Sequence, residues 1–246
     1  MASIFLFSDF GSADIYVGQV KGVLARYAPG VPCVDLLHDA PAYDVRAGAH
    51  LLAALVDQVP PGGVVLSVVD PGVGSSRKAA VMEADGRYFV GPDNGLLSVV
   101  AARTEQRRFW HIGWVPGRLS NSFHGRDLFA PVAAWIARGE FPVPKLDPVP
   151  RLEFNLGGED LAELIYIDHY GNAMTGIQAG GLARGARLVC AHRHFSHARV
   201  FSEAADGQGF WHENSIGLAE IALKGGHAAG EFGLALGQHV MVVPGD

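Results

Sequence analysis

Three side chains in this sequence have the types and spacing of a reaction centre: Asp70, Arg77 and His124. Asp70 ends the apolar run "GVVLSVVD", and the Pro/Gly-rich turn "PGVGSSRK" then returns Arg77. A guanidinium across such a turn keeps the acid ionised and fixes its rotamer; the plain alternative is an ion pair that closes a loop. His124 lies in "NSFHGRDLFAP", ahead of an apolar helix that takes Asp127 as its cap or first-turn acid, with Arg126 anchoring the loop. There an imidazole serves as general base, as orienting group or as a structural loop residue. An acid, a guanidinium and an imidazole converging at the carboxyl ends of α/β strands imply an enzyme.

Other segments carry secondary candidates. "SIFLFSDFG" ends a strand with Asp9 beside Gly11, where a carboxylate takes both hydroxyls of a ribose or caps the next helix. "VDPGVGSSRK" has Arg77 where a dinucleotide fingerprint has its third Gly, and it lacks the ending of a phosphate-binding P-loop. "GPDNGLLS" reads as a structural turn with Asp93 or Asn94 capping a helix. "YIDHYGNAMT" sets Asp168, Tyr170 and Asn172 on a strand-to-turn corner, suited to an ammonium and an adenine edge or to a plain Asx turn. "CAHRHFSH" brings together His192, His194 and His197 without a carboxylate or cysteine in a ligand pattern, so a solvated His-rich loop is the better reading than a metal site.

The elements that must hold these residues alternate in the first half. "SIFLF", "PCVDLL" and "GVVLSVVD" read as buried strands, the last too uniformly apolar for an edge. Val17, Val20, Val23, Leu24 and Tyr27 recur at helical spacing, as do Val45, Ala49, Leu52 and Val56 after Asp44. "KAAVMEA" and "GRYFVG" flank "DG" as a hairpin, while "NGLLSVVAAR" and "GRDLFAPVAAWIARG" are helices. The proline-rich stretch near Gly139–Arg151 suits a linker. Beyond it come short strands and one helix candidate, "NSIGLAEIALKGG". The expectation is an α/β fold: a mostly parallel sheet flanked by helices over residues 1–145, a linker over 146–155 and a smaller β-rich domain over 156–246.

Composition narrows the class. With 49% hydrophobic and 18% charged residues the chain supports a sizeable core. A net charge of −6 without a basic run disfavours a nucleic-acid surface. Cys33 and Cys190 lack paired spacing, which fits a reducing cytoplasm, and neither a signal peptide nor an apolar run long enough to span a membrane is expected.

In this order, "SDFG", "VDPGVGSSRK", "GPDNG", "FHGRDLFAP", "DHYGN" and "NSIGLAEIALKGG" resemble the S-adenosyl-L-methionine (SAM) hydroxide adenosyltransferases, or SAM hydrolases, relatives of the SAM-dependent fluorinase and chlorinase. The match runs over nearly the whole chain. It implies hydrolysis of SAM to adenosine and methionine, with no cofactor and no metal, by a homotrimer whose active sites lie between one subunit's N-terminal domain and its neighbour's C-terminal domain. It assigns catalysis to Asp70, Arg77 and His124, a set the halogenating relatives lack. It gives Asp9 the ribose hydroxyls, Tyr43 a stacking role near the adenosyl group, Asn172 the adenine, Asp168 the methionine ammonium and Ser215 the methionine carboxylate. One departure is Ile216, which stands where relatives with a Ser-Arg pair carry Arg. The alternatives are a halide-using enzyme of the same superfamily, a non-catalytic SAM- or adenosine-binding module, and a metal-dependent phosphoesterase.

Overall fold

The computed structural model describes residues 2–245 and divides into two compact units that part between Gly158 and Glu159. The N-terminal unit runs β1 (Ile4–Ser8), α1 (Ile15–Tyr27), β2 (Cys33–Leu37), α2 (Val45–Leu55), β3 (Val64–Val68), β4 (Ala79–Ala84), β5 (Arg87–Pro92), α3 (Ser98–Arg103) and β6 (Arg107–Ile112). A π-helical turn (Gly125–Phe129), α4 (Ala130–Ala137) and β7 (Leu146–Val149) complete it. Its seven strands form one sheet in the order β2-β1-β3-β5-β4-β6-β7. The half containing β2, β1, β3 and β5 is parallel, and the half from β5 through β4 and β6 to β7 is antiparallel.

Alternation along the parallel strands builds a core on each face. Ile4, Leu6, Val64, Leu66 and Val90 join Val20 and Leu24 of α1 and Val132 and Ile136 of α4 in one cluster. The intervening Phe5, Phe7, Val65 and Phe89 are buried as well, as parallel strands covered on both sides require. On that second side α2 and α3 pack together, with Gly48 of α2 against Val69 and Leu96. Asp44 starts α2 by accepting a hydrogen bond from the Ala47 amide at 2.9 Å. The β4–β5 hairpin turns through Asp85 and Gly86, both at positive φ (45° and 74°), the type I′ geometry that the "DG" pair predicts.

The β1–β3 register sets up the site. Ser8 pairs with Val68, so Asp9 and Asp70 leave adjacent strands at the same carboxyl edge. The proline-rich stretch is not all linker, because β7 pairs antiparallel with β6 through Phe109↔Val149 and Trp110↔Pro148. At this sheet edge proline costs little, since one side of the strand needs no donor.

The C-terminal unit comprises β8 (Leu161–Ile167), β9 (Ala173–Gln178), β10 (Arg187–Cys190), β11 (Arg193–His197), β12 (Gly209–Glu213), β13 (Leu218–Leu223), α5 (Ala228–Phe232) and β14 (Met241–Val243). Its sheet runs β14-β10-β11-β12-β13-β9-β8. Trp211, Phe195, Ile221 and Leu188 fill its core, and the Trp211 indole donates to the Ala186 carbonyl at 2.8 Å. Two expectations are corrected here. The helix candidate "NSIGLAEIALKGG" is the β12–β13 turn followed by strand β13, buried along its whole length between β12 and β9. A short apolar run buried on both faces has no period to separate strand from helix. "CAHRHFSH" is a hairpin, with Ala191 and His192 at positive φ between β10 and β11, and His197 packed against Trp211 at 4.6 Å between ring centroids.

Candidate active site

Asp70 emerges from β3 into a tight turn, in which Val73 donates to the Asp70 carbonyl and Ser75 to that of Gly72. The turn brings Arg77 back onto the acid. Arg77 Nε donates to Asp70 Oδ1 at 2.9 Å, and its Nη2 bonds Asp70 Oδ2. The same Nη2 reaches His124 Nδ1 at 3.1 Å, so one guanidinium links carboxylate and imidazole. The Arg77 and Asp70 side chains are only 7% and 4% exposed. Removing one partner from so buried a pair leaves an uncompensated charge, a loss of about 3–5 kcal/mol. The Arg77 guanidinium also lies over the Phe129 ring at 5.2 Å, which couples it to the core beneath α4.

A positive φ and one close approach explain why the turn needs its glycine at 74. Gly74 has φ +80°, and a Cβ there would sit 2.3 Å from the Asn121 carbonyl oxygen, two residues before Phe123. The Asp70–Arg77 turn and the segment leading to His124 are thus in backbone contact. His124 itself precedes the π-helical turn, a rare element often found at functional sites. Arg126 pairs with Asp127 (Nε–Oδ1 2.6 Å) and donates to Gln19 of α1, while Asp127 accepts from the Ser120 amide at 2.8 Å. Arg126 therefore anchors the loop, and Asp127 sits in the first helical turn.

Hydrogen-bond roles fix the imidazole's state. A guanidinium only donates, so His124 Nδ1 must accept, which leaves the neutral ring with its proton on Nε2. Burial and then the Arg77 charge push the His124 pKa below its ordinary value, with Asp70 and Asp127 opposing. Asp9 shifts the other way. Burial raises its pKa against the backbone N–H bond from Tyr43, and the charge of Asp70 adds to the rise. Tyr43 donates its amide to Asp9 Oδ2 at 3.1 Å while holding φ at +63°, and the residue is 77% exposed. A bulky residue in that region costs about 1–3 kcal/mol and marks stored strain.

Asp9, Tyr43, Asp70 and His124 line one cavity of about 320 Å³. Arg77 does not line it; it stands behind Asp70 and His124. The lining residues that sequence reasoning missed include Phe10, Asp14, Tyr16 and Phe123. Tyr16 and Phe10 both meet Phe123 edge-on, at centroid distances of 5.4 and 5.6 Å. Asp14 is the N-cap residue of α1, yet its side chain makes no capping bond. Its spacing from Asp9 in "SDFGSADIY" was the available signal.

The remaining candidates lie in the C-terminal unit. Asp168 and Asn172 face each other across the β8–β9 turn, where Asp168 accepts from the Asn172 amide (2.8 Å) and from its side-chain Nδ2 (3.0 Å). Asn172 is buried. Gly171 between them, at φ +84°, has the His227 ring where a Cβ would go. Ser215 is exposed in the β12–β13 turn, next to Ile216. Among the described residues, no three His, Cys, Asp or Glu side chains gather as a metal site, and no helix is long and apolar enough to cross a membrane.

Comparison with known proteins bears on this cavity. Residues 4–146 match the N-terminal domain of the SAM hydroxide adenosyltransferases and residues 162–241 the C-terminal domain. A protein of Salinispora arenicola named (R)-S-adenosyl-L-methionine hydrolase is 38% identical over 97% of this chain and 96% of its own. One of the same name from Thermus thermophilus is 37% identical over 99% and 100%. A fluorinase of an Actinoplanes species is more distant, at 25% identity over 72% of each chain. Among solved structures, an uncharacterized conserved protein from Thermotoga maritima superposes with a TM-score of 0.87 at 31% identity, covering 98% of this chain and 100% of that one. The chain belongs to the SAM hydroxide adenosyltransferase family.

Proposed function

We propose that this protein hydrolyses SAM to adenosine and L-methionine by attack of water on the 5′ carbon of the adenosyl group. The observation that carries the reading is the buried Asp70–Arg77 pair, linked to the half-buried His124, at the edge of a cavity that also holds the Asp9 and Asp14 carboxylates. Such a cavity suits a cationic substrate with vicinal hydroxyls.

As the C5′–O bond forms, the C5′–S bond breaks and its electron pair returns to sulfur. The thioether leaves neutral, so the reaction requires no general acid and no metal or cofactor. What it requires is a nucleophile. Because Nδ1 of His124 is occupied by Arg77, its Nε2–H donates to the water and aims it. The water's proton then passes to Asp70, whose carboxylate Arg77 holds in one orientation. In-line placement and exclusion of bulk water supply much of the remaining acceleration.

In the same reading Asp9 binds the ribose hydroxyls and Tyr43 stacks on the adenosyl group. Asn172 reads the adenine, Asp168 meets the methionine ammonium and Ser215 its carboxylate. The working form is a homotrimer in which a neighbour's C-terminal unit closes the cavity. Family membership supports this, as do the exposed apolar Ile15, Tyr16 and Tyr43 beside the cavity (71%, 42% and 77%). Two free thiols, Cys33 and Cys190, fit a cytoplasmic setting.

The test is to incubate the purified protein with SAM and excess chelator, with and without chloride, and to separate the products. Equal adenosine and methionine, indifferent to chelator and halide, is the expected result. A 5′-halo-adenosine would move the protein to the halogenating branch, loss of activity with chelator would indicate a metal enzyme, and intact co-eluting SAM would leave a binding module.

A further inference from the structure

The C-terminal unit contains a buried polar chain that the reaction does not touch. Glu220 of β13 is 4% exposed and His212, its cross-strand partner on β12, is 9% exposed. His212 Nε2 meets Glu220 Oε1 at 3.1 Å, and Asn214 Nδ2 donates to Glu220 Oε2 at 3.0 Å. The other end of the Asn214 amide shapes the turn, since its Oδ1 accepts from the Ile216 amide (3.1 Å) and the Leu218 amide (3.0 Å). Ser215 is enclosed by those two bonds.

Donor counting restricts the chain further. His212 Nδ1 faces the Glu213 carbonyl at 3.0 Å and must donate there. A neutral ring would then present a lone pair at Nε2 to a carboxylate oxygen, so the pair holds one more proton than neutral His plus ionised Glu. A carboxyl group in a central strand costs free energy that an apolar residue would not. Packing alone does not account for it. What the chain does is fix the Asn214 side chain, and through it the backbone on both sides of Ser215.

We propose that Glu220, acting through Asn214 and seated by His212, is a positioning residue that holds Ser215 ready for the carboxylate of the methionine moiety. This rests on the reading of Ser215 as that carboxylate's partner. It gives a rigid turn the task that an arginine at the Ile216 position cannot perform here.

The experiment measures KM and kcat for SAM, with thermal melting as a folding check, in the full-length protein. Ser215→Ala and Asn214→Ala are each expected to raise KM about tenfold, as for one lost bond to a charged group, with kcat within about twofold. The double variant should raise KM no further than the larger single. Glu220→Gln restores every bond with a neutral His212, by donating to Nε2 and accepting from Asn214, and should keep KM near that of the parent. Glu220→Leu, which packs but cannot bond Asn214, should match Asn214→Ala and serves if the latter fails to fold. If Ser215→Ala raises KM while Asn214→Ala and Glu220→Leu do not, the positioning role is overturned and the Ser215 reading stands. If Ser215→Ala leaves KM unchanged, that reading fails and the positioning role falls with it.

Discussion

The two units meet the demands of binding and chemistry by different means. In the N-terminal unit the three catalytic candidates are tied to one another side chain to side chain: Asp70 just beyond β3, Arg77 on the turn that follows and His124 ahead of the π-helical turn. In the C-terminal unit they sit on hairpin turns, at β8–β9 and β12–β13, and are set by side chains that bond the turn's own backbone. The first arrangement suits a reacting atom that tolerates little displacement, and the second suits recognition of a substrate's ends. Substitutions in the first should therefore act on kcat and in the second on KM.

The sharpest way to break this contrast is to remove the linked charges. Asp70→Ala, Arg77→Ala and His124→Ala should each lower kcat by at least about 10²-fold, the usual size for acid–base groups. Single-turnover rates would show it, and near-parental turnover in all three would end the assignment. Arg77→Lys is the finer probe. A lysine cannot bond both Asp70 and His124 with one planar fork, so most of the loss should remain.

Two glycines test the contrast at the level of the backbone. Gly74→Ala drives a Cβ into the Asn121 carbonyl, and Gly171→Ala drives one into the His227 ring, each at positive φ. Each should lower stability by about 1–3 kcal/mol. Gly74→Ala should also cut kcat, since it wedges the Asp70–Arg77 turn away from the segment that leads to His124. Gly171→Ala should instead raise KM. Asn172→Ala belongs with it: affinity for SAM should fall more than the single-turnover rate does.

What was legible beforehand follows the same division. Asp70, Arg77 and the Asp85-Gly86 hairpin were readable because short-range geometry decides them, a turn in each case returning the chain on itself. Strand β13 was not, because a run buried on both faces has no period. Phe10 and Tyr16 enter the cavity only through the β1–β3 register and the placement of α1 and Phe123 against each other, which no local pattern records. The strained Tyr43 was legible by resemblance alone; its backbone depends on the Asp9 carboxylate reaching its amide.

The smallest expected effect is also the one that separates aiming the water from taking its proton. His124 must be neutral at Nδ1 to accept from Arg77, and its pKa lies below the ordinary histidine value of about 6.5. The unfolded chain therefore binds this proton first. The stability the neutral ring contributes is complete above about pH 6.5 and is lost as pH falls through the lowered folded value. Activity should follow the same sign, with kcat/KM flat near neutrality and falling only in acid as protonated His124 repels Arg77. Asp9 also takes up a proton as pH falls, its carboxyl being raised. Comparing the parent with His124→Gln isolates the imidazole: the acid limb should become shallower by the histidine's share and retain that of Asp9. A limb centred above about 6.5 that vanishes in His124→Gln would instead make the imidazole the proton acceptor. In that case Arg77 would have to release Nδ1 in the complex, and Asp70 would be left with orientation alone.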